Sequence, residues 1–307
     1  MTAERSGVRA RPLRAPKDPS AGRDRVAAAI AALPTIALTM SVLALATSLV
    51  READLTPFAS IGSLTRFLSD GPTQAGREGG IGPMIVATAW VLAIALAAAV
   101  PVGLAAAIGL AELWPARGLA ARALRAALDT LAALPSIVVG LFGMAFFCEA
   151  LGLGWSVLAG GLTVATMILP LLTRLAEEGL RATPRELRAA GAALGLSRAV
   201  VVTRLVLPAA APSLGAGLLL ATGRVLAESA ALLFTAGGSI RAPEGPLESG
   251  RVLALHVYHL ATEVPGGMGR SCATALVLVG IGLASGGLAR ALPRLVARQL
   301  TRGARAG

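Results

Sequence analysis

Six apolar segments, near residues 26–50, 83–111, 130–148, 155–173, 213–236 and 271–289, are each long enough to cross about 30 Å of hydrocarbon as a helix rising 1.5 Å per residue. A bilayer core offers no water to backbone N–H and C=O groups, so such runs fold as helices that satisfy their own hydrogen bonds. The expected class is therefore all-α, a polytopic membrane protein of six transmembrane helices. Composition agrees, because 55% of the 307 residues are hydrophobic and 15% are charged, too apolar a balance for an ordinary soluble domain. The first run follows a long polar arm, and its Ala-Leu-Ala at 44–46 lies inside the run, so it reads as a retained helix and not as a cleaved signal. Pro34, Pro101, Pro135 and Pro170 interrupt four of the runs, which predicts kinked helices around a pathway.

The basic residues orient these spans. With both termini cytoplasmic, segments 1–25, 112–127, 174–211 and 290–307 carry 21 of the 28 basic residues, loops 51–80 and 237–270 carry six, and Arg224 lies within a span. Short cytoplasmic loops concentrate Lys and Arg in this way, so the net charge of +11 is a topology signal and calls for no nucleic acid. The organisation that follows is a basic arm (1–25), a first helix (26–50), an outer loop (51–80), a membrane domain (81–290) holding a cytoplasmic loop at 174–211, and a basic tail (291–307). Cys148 and Cys272 both fall in apolar runs and read as buried free thiols.

The cytoplasmic loop contains "TPRELRAAGAALGLSRAVVVTRLVLP", residues 183–208, which is punctuated as two helices. Thr183, Pro184 and Glu186 have capping-box spacing with proline at the first helical position, and Gly195 is a natural stop. Leu180, Leu187 and Leu194 recur every seven residues on one face, with Arg181, Arg185 and Arg188 off it. Ser197 then caps a second helix that Pro208 ends. The apolar face either packs back on the chain's own surface or docks a soluble partner. In the fifth span, Arg224 and Glu228 stand four residues apart on one helical face. Membrane-embedded charges are expensive, so the two should pair and face the bundle interior or a water-filled cavity, either as a structural ion pair or as part of an anion path.

Gly195 followed by "LVLP" at 205–208, with "RAAGAALG" before it, resembles the EAA loop of ABC-transporter permeases. Where that family has a glutamate this chain has Ala189. "GIGPMIVATAW" (80–90), "PVGLAAAIGLAEL" (101–113), "LPSIVVGLFGMAFF" (134–147), "LAESAALLFTAG" (226–237) and "ALHVYHLA" (254–261) are similar to the phosphate permease subunits of the PstA type, over roughly residues 80–290. The family's "GETAPLLFTA" reads here with Ala227 for Gly, Ser229 for Thr and Ala231 for Pro.

The resemblance implies a multi-pass protein of the bacterial inner membrane that forms half of an importer's translocation pathway. It implies as partners a cytosolic ABC ATPase, a second permease subunit of the PstC type, an extracytoplasmic phosphate-binding protein, and phosphate. Residues 183–208, with Thr183, Pro184, Glu186, Leu187, Ala189, Leu194, Gly195 and Pro208, would dock the ATPase, and Arg224 and Glu228 would line the pathway. A permease for sulfate, molybdate or phosphonate is the near alternative, and an ATP-independent secondary anion transporter a more distant one. No catalytic residue, metal or cofactor is assigned. The only lysine, Lys17, lies in a glycine-free arm segment, so no Walker A loop is present and ATP hydrolysis falls to another polypeptide. His256 and His259 lie in the outer loop without a third ligand and read as packing residues.

The orientation is tested with a reporter enzyme that works only in the cytoplasm. It should be active when fused near Arg188 and silent near His256, and the reverse pattern would refute the topology.

Overall fold

A computed structural model describes the backbone of residues 20–115 and 117–303, and the side chains of 36–115, 117–285 and 287. The basic arm, Pro34 and the basic tail lie outside the described side chains. The chain is mostly helical. Its elements are α1 (Ser20–Glu52), α2 (Ile61–Ser69), a hairpin of β1 (Pro72–Thr73) and β2 (Glu78–Gly79), α3 (Gly82–Ile108), α4 (Leu119–Ala133), α5 (Ser136–Gly143), α6 (Val157–Arg181), α7 (Arg185–Ala193), α8 (Arg198–Val201), α9 (Leu207–Leu226), α10 (Ala230–Thr235), α11 (Leu253–Thr262) and α12 (Met268–Gly303). Residues up to Ser48 form one compact unit, in which the described part of α1 exposes Ile36, Leu38, Met40, Val42, Leu43 and Leu45. Everything below concerns the second unit, from Leu49 onward.

Four helices among the described residues are long and apolar enough to cross a membrane: Gly82–Leu113, Val157–Ala182, Arg198–Leu226 and Met268–Ser285. A fifth candidate is a bent pair, Leu119–Ala133 with Ser136–Ala150, whose axes differ by 103°. Here the expected span at 130–148 is corrected. Leu134 is extended (φ −70°, ψ 132°) ahead of Pro135, which has no N–H to continue a helix and pushes its predecessor out of helical conformation. Pro101 and Pro170 instead lie within α3 and α6.

α6 is the centre of the bundle and the most buried span, packed along α3 on one side and α9 on another. Apolar contact alone does not drive helix pairing in lipid, so close packing of small residues must do it. On α3, Ala87, Val91, Ala95, Ala99, Gly103 and Ala107 repeat every four residues and are all buried. Glycines on the facing helices admit neighbours a methyl group would strike. A Cβ on Gly161 would lie 2.6 Å from Ile94 Cγ2, and one on Gly179 would lie 2.7 Å from Ser213 Cβ. Gly217 abuts Leu175, whereas Gly223 and Gly282 have open space beside them.

Two further boundaries differ from expectation. Pro208 does not end a helix, because α8 runs through a wide turn at Val202–Val206 into α9. Leu207 N donates to Val202 O, five residues back, and this loosened turn accommodates the proline ring and its missing donor. The span expected to reach 236 ends instead at Leu226, and after a three-residue break α10 begins. Both cysteines are free and buried.

Packing at the α5–α10 crossing yields a prediction. A Cβ on Gly140 would stand 2.8 Å from Ala231 Cα, a backbone atom that cannot swing aside. Gly140→Ala should therefore destabilise by about 1–3 kcal/mol through overpacking. Gly223→Ala, with nothing within 4 Å, should be neutral or stabilise by up to about 1 kcal/mol as a helix-interior glycine replaced. Thermal unfolding midpoints in one detergent compare the two.

Candidate functional site

Two constellations carry the charges that the apolar spans do not need. The first lies at the break between α9 and α10. Arg224 occupies the last turn of α9, where a cation faces the carbonyl end of the helix favourably. Glu228 follows the α9 cap, is 3% exposed, and accepts from Arg224 Nη1 at 2.9 Å through Oε2. Its other oxygen, Oε1, accepts from Ala231 N at 3.1 Å in the first turn of α10. One buried carboxylate thus ties the last turn of α9 to the first turn of α10. The two residues meet as their spacing suggested, yet at a helix end and not in mid-span. Glu228 is enclosed, whereas the Arg224 side chain is 46% exposed and carries its charge to the surface of the chain.

The second constellation surrounds α7. The expected capping box is not formed. Pro184 is the N-cap and α7 has no side-chain cap, because the Thr183 hydroxyl turns back to donate to Leu180 O at 2.6 Å, closing the end of α6 instead. Glu186 is left exposed in the first turn. The helix terminates at Gly195, with φ +69°, where Gly195 N donates to Ala192 O and Leu196 N to Gly191 O, the paired bonds of a left-handed glycine cap. Ser197 then caps α8 by accepting from Val200 N. The leucine stripe does not form one surface. Leu180 is fully buried in α6, Leu187 is half-buried and Leu194 is 77% exposed. Pro184, Ala189 and Pro208 are exposed as well.

Arg188 is not a free surface charge. Its Nε donates to Glu112 Oε2 at 3.1 Å, Nη2 to Glu112 Oε1 and to Leu180 O at 2.8 Å, and Nη1 to Thr183 O at 3.0 Å. The hydrogen bond to Glu112 holds the guanidinium pKa above its ordinary value, against desolvation. Beside it lies a cleft of about 280 Å³ bounded by Glu112, Leu113, Leu196 and Val202. Nearby, Glu177 Oε1 accepts from both Arg125 and Arg181, Arg181 Nη2 also reaches Leu110 O at 2.9 Å, and Arg174 pairs with Asp129. Sequence reasoning missed Glu112 and Glu177. The only available signal was a carboxylate at the rim of each apolar run, since the 76-residue separation between Glu112 and Arg188 leaves no local trace.

Among the described residues no three His, Cys, Asp or Glu side chains converge as metal ligands. His259 Nδ1 pairs with Glu263 at 2.7 Å, and His256 is buried in α11, outside the candidate spans, with Nδ1 unpartnered. Burial, with repulsion from Arg251 and His259, lowers the His256 pKa to about 4.

A model of the family described as binding-protein-dependent transport system inner membrane component matches residues 99–298. The chain is 31% identical over 211 residues to the probable ABC transporter permease protein YqgI of Bacillus subtilis, covering 64% of this chain and 71% of that one. It is 36% identical over 161 residues to the phosphate transport system permease protein PstA 1 of Mycobacterium tuberculosis, covering 52% of each, so it spans about half of that relative. The fold is similar to a bacterial ABC transporter involved in import of the acidic polysaccharide alginate (TM-score 0.59, 15% identity, 88% of this chain and 97% of that one). It is similar also to the MetNI methionine ABC transporter (TM-score 0.53, 19% identity, 69% and 94%).

The buried histidine fixes a pH dependence. The unfolded chain binds its proton near pH 6.5 and the folded chain only near 4, so stability should fall as pH drops from 6.5 to 4 and then level off. In His256→Gln the unfolding midpoint should lose that part of its pH slope, as a melting series in detergent would measure.

Proposed function

The chain belongs to the family of binding-protein-dependent transport system inner membrane components, and on that premise we propose that it is the permease subunit of an ATP-driven importer of inorganic phosphate. The family is a transporter component and not itself an enzyme, and this member is a multi-pass membrane protein. In the proposed topology six spans, the first of them α1, leave both termini in the cytoplasm of a plasma membrane. Residues 183–208 then face the cytoplasm as the docking element for a separate ATPase. A PstC-type subunit completes the pathway, and an external binding protein delivers the anion. Phosphate is favoured by the relatives named as PstA, among them proteins from Mycobacterium tuberculosis and Methanocaldococcus jannaschii.

The observation that carries this reading is the asymmetry of the Arg224–Glu228 pair. The carboxylate is enclosed and the guanidinium is half-exposed at the end of an apolar span, where its free side can meet an anion. Charged side chains among membrane helices face the bundle interior or a water-filled cavity, so the exposed side of Arg224 is read as facing the water-filled seam with the second subunit. Arginine presents a planar fork suited to phosphate oxygens. Glu228, already engaged by Ala231 N, lowers the local positive potential so that the anion is passed on and not retained. Docking through α7 is supported by its exposed Leu194 and alanine face and by the rigid glycine stop at Gly195. A carrier of sulfate, molybdate or phosphonate would use the same chemistry.

The double variant Arg224→Gln with Glu228→Gln separates the roles, because a glutamine oxygen at 228 can still accept from Ala231 N. It should insert and retain its ATPase yet take up radiolabelled phosphate poorly. Recovery of uptake to near the parent level would show that the pair is structural. Competition by unlabelled sulfate, molybdate or phosphonate in the parent would reassign the anion.

A further inference from the structure

We propose that Arg188 is a positioning residue that decides which spans follow the docking helix: it clasps α7 to the ends of α3 and α6, so that displacement of α7 moves those two helices together. The inference rests on the reading of α7 as the ATPase contact.

A salt bridge at a surface contributes little by itself. Arg188 does something different, because all three of its guanidinium nitrogens are engaged and the acceptors come from three separate segments. Glu112 belongs to the wide turn that ends α3, Leu180 to the last turn of α6, and Thr183 to the connection between α6 and α7. At the end of α6 the guanidinium joins the Thr183 hydroxyl on Leu180 O and also takes up Thr183 O. The clasp is half-sheltered, with the Arg188 side chain 27% exposed and that of Glu112 10% exposed.

The second attachment of α7 runs elsewhere. Gly191 packs so closely on α8 that a Cβ there would lie 2.6 Å from Val201 Cγ2, and α8 continues into α9. The ends of α3 and α6 are meanwhile joined to each other without Arg188, through Arg181 Nη2 on Leu110 O and the packing of the two helices. Breaking the clasp therefore leaves the bundle assembled and leaves α7 attached to α9. It leaves α7 joined to α6 through the short connection at 182–184 and removes the tie from α7 to the end of α3. A docking helix so released would still bind its ATPase, but its displacement on hydrolysis would no longer be passed to α3 together with α6.

The test uses the full chain, co-expressed with its ATPase, its second permease subunit and its binding protein, and reconstituted in proteoliposomes. Retained ATPase, ATP hydrolysed and radiolabelled inorganic phosphate taken up are measured on the same preparations. Arg188→Gln is expected to keep the ATPase and its hydrolysis while phosphate taken up per ATP falls roughly tenfold, within the usual range of coupling between sites. Arg188→Lys should recover only part of the loss, because an ammonium cannot form the same fork. In the paired variant Arg188→Cys with Glu112→Cys, a short bifunctional maleimide should restore uptake per ATP, a rescue that improved folding alone would not give after assembly. Parent-like uptake per ATP in Arg188→Gln, loss of the ATPase from it, or failure of the cross-link to restore coupling would each overturn the proposal. Failure of the underlying reading is distinguishable, since the parent chain itself would then hold no ATPase.

Discussion

A helix can stop inside an apolar layer only where something other than water takes up its free carbonyls and amides, and this requirement organises the chain. Two interruptions close to the apolar spans are each served by a charged side chain. Where α9 stops, Glu228 holds Arg224 and accepts from Ala231 N in the first turn of α10. Where α6 stops, Arg188 and the Thr183 hydroxyl take the carbonyls of Leu180 and Thr183. The wide turns at Met144–Ala150 and Val202–Val206 bend the chain through backbone hydrogen bonds, and the one at Gly109–Leu113 also receives Arg181 on Leu110 O. Arg224, Glu228 and Arg188 thus mark places where the helices are broken.

What could be read in the residues divides along physical lines. Apolar length located the helices at 82–113 and 268–285 and the start of the one at 157–182, whose charged last turns lie beyond the apolar run, since hydropathy is a local property. The four-residue spacing of Arg224 and Glu228 was legible for the same reason. Proline was not, because its effect depends on its surroundings: Pro135 forces a 103° bend, while Pro208 is absorbed by the turn before it and Pro101 and Pro170 by their helices. The Thr183 motif misled because a hydroxyl between two helix ends can serve either, and the carbonyl end of α6 was the nearer. Glu112 meeting Arg188 is a product of tertiary packing and leaves no local sign.

The departures from the motifs of related permeases acquire structural content. Ala231 stands where the resembling sequences have proline, and its backbone N–H is the donor that holds Glu228 Oε1. A proline there has no such hydrogen to give, so this chain fixes its glutamate by a bond those sequences lack. The same alanine lies against Gly140, so the α5–α10 crossing and the carboxylate geometry are set by one residue. Ala189, at the position of the family glutamate, lies exposed on α7, one residue beyond the arginine that ties the helix down.

The burial of α6 also bears on how the chain is made. α6 is less apolar than α3 and far more enclosed, and it carries Thr163 and Thr173 at fully buried positions. Each hydroxyl donates to a carbonyl one turn back, Thr163 to Ala159 and Thr173 to Leu169, so each polar group is silenced within its own helix before any neighbour arrives. Its glycines, however, present bare backbone until Ile94 of α3 covers Gly161. Synthesis runs from the N-terminus, so α3 is already in the bilayer when α6 leaves the ribosome. A more strongly apolar span thus enters before α6 and serves as the surface on which that less apolar, more enclosed one is received.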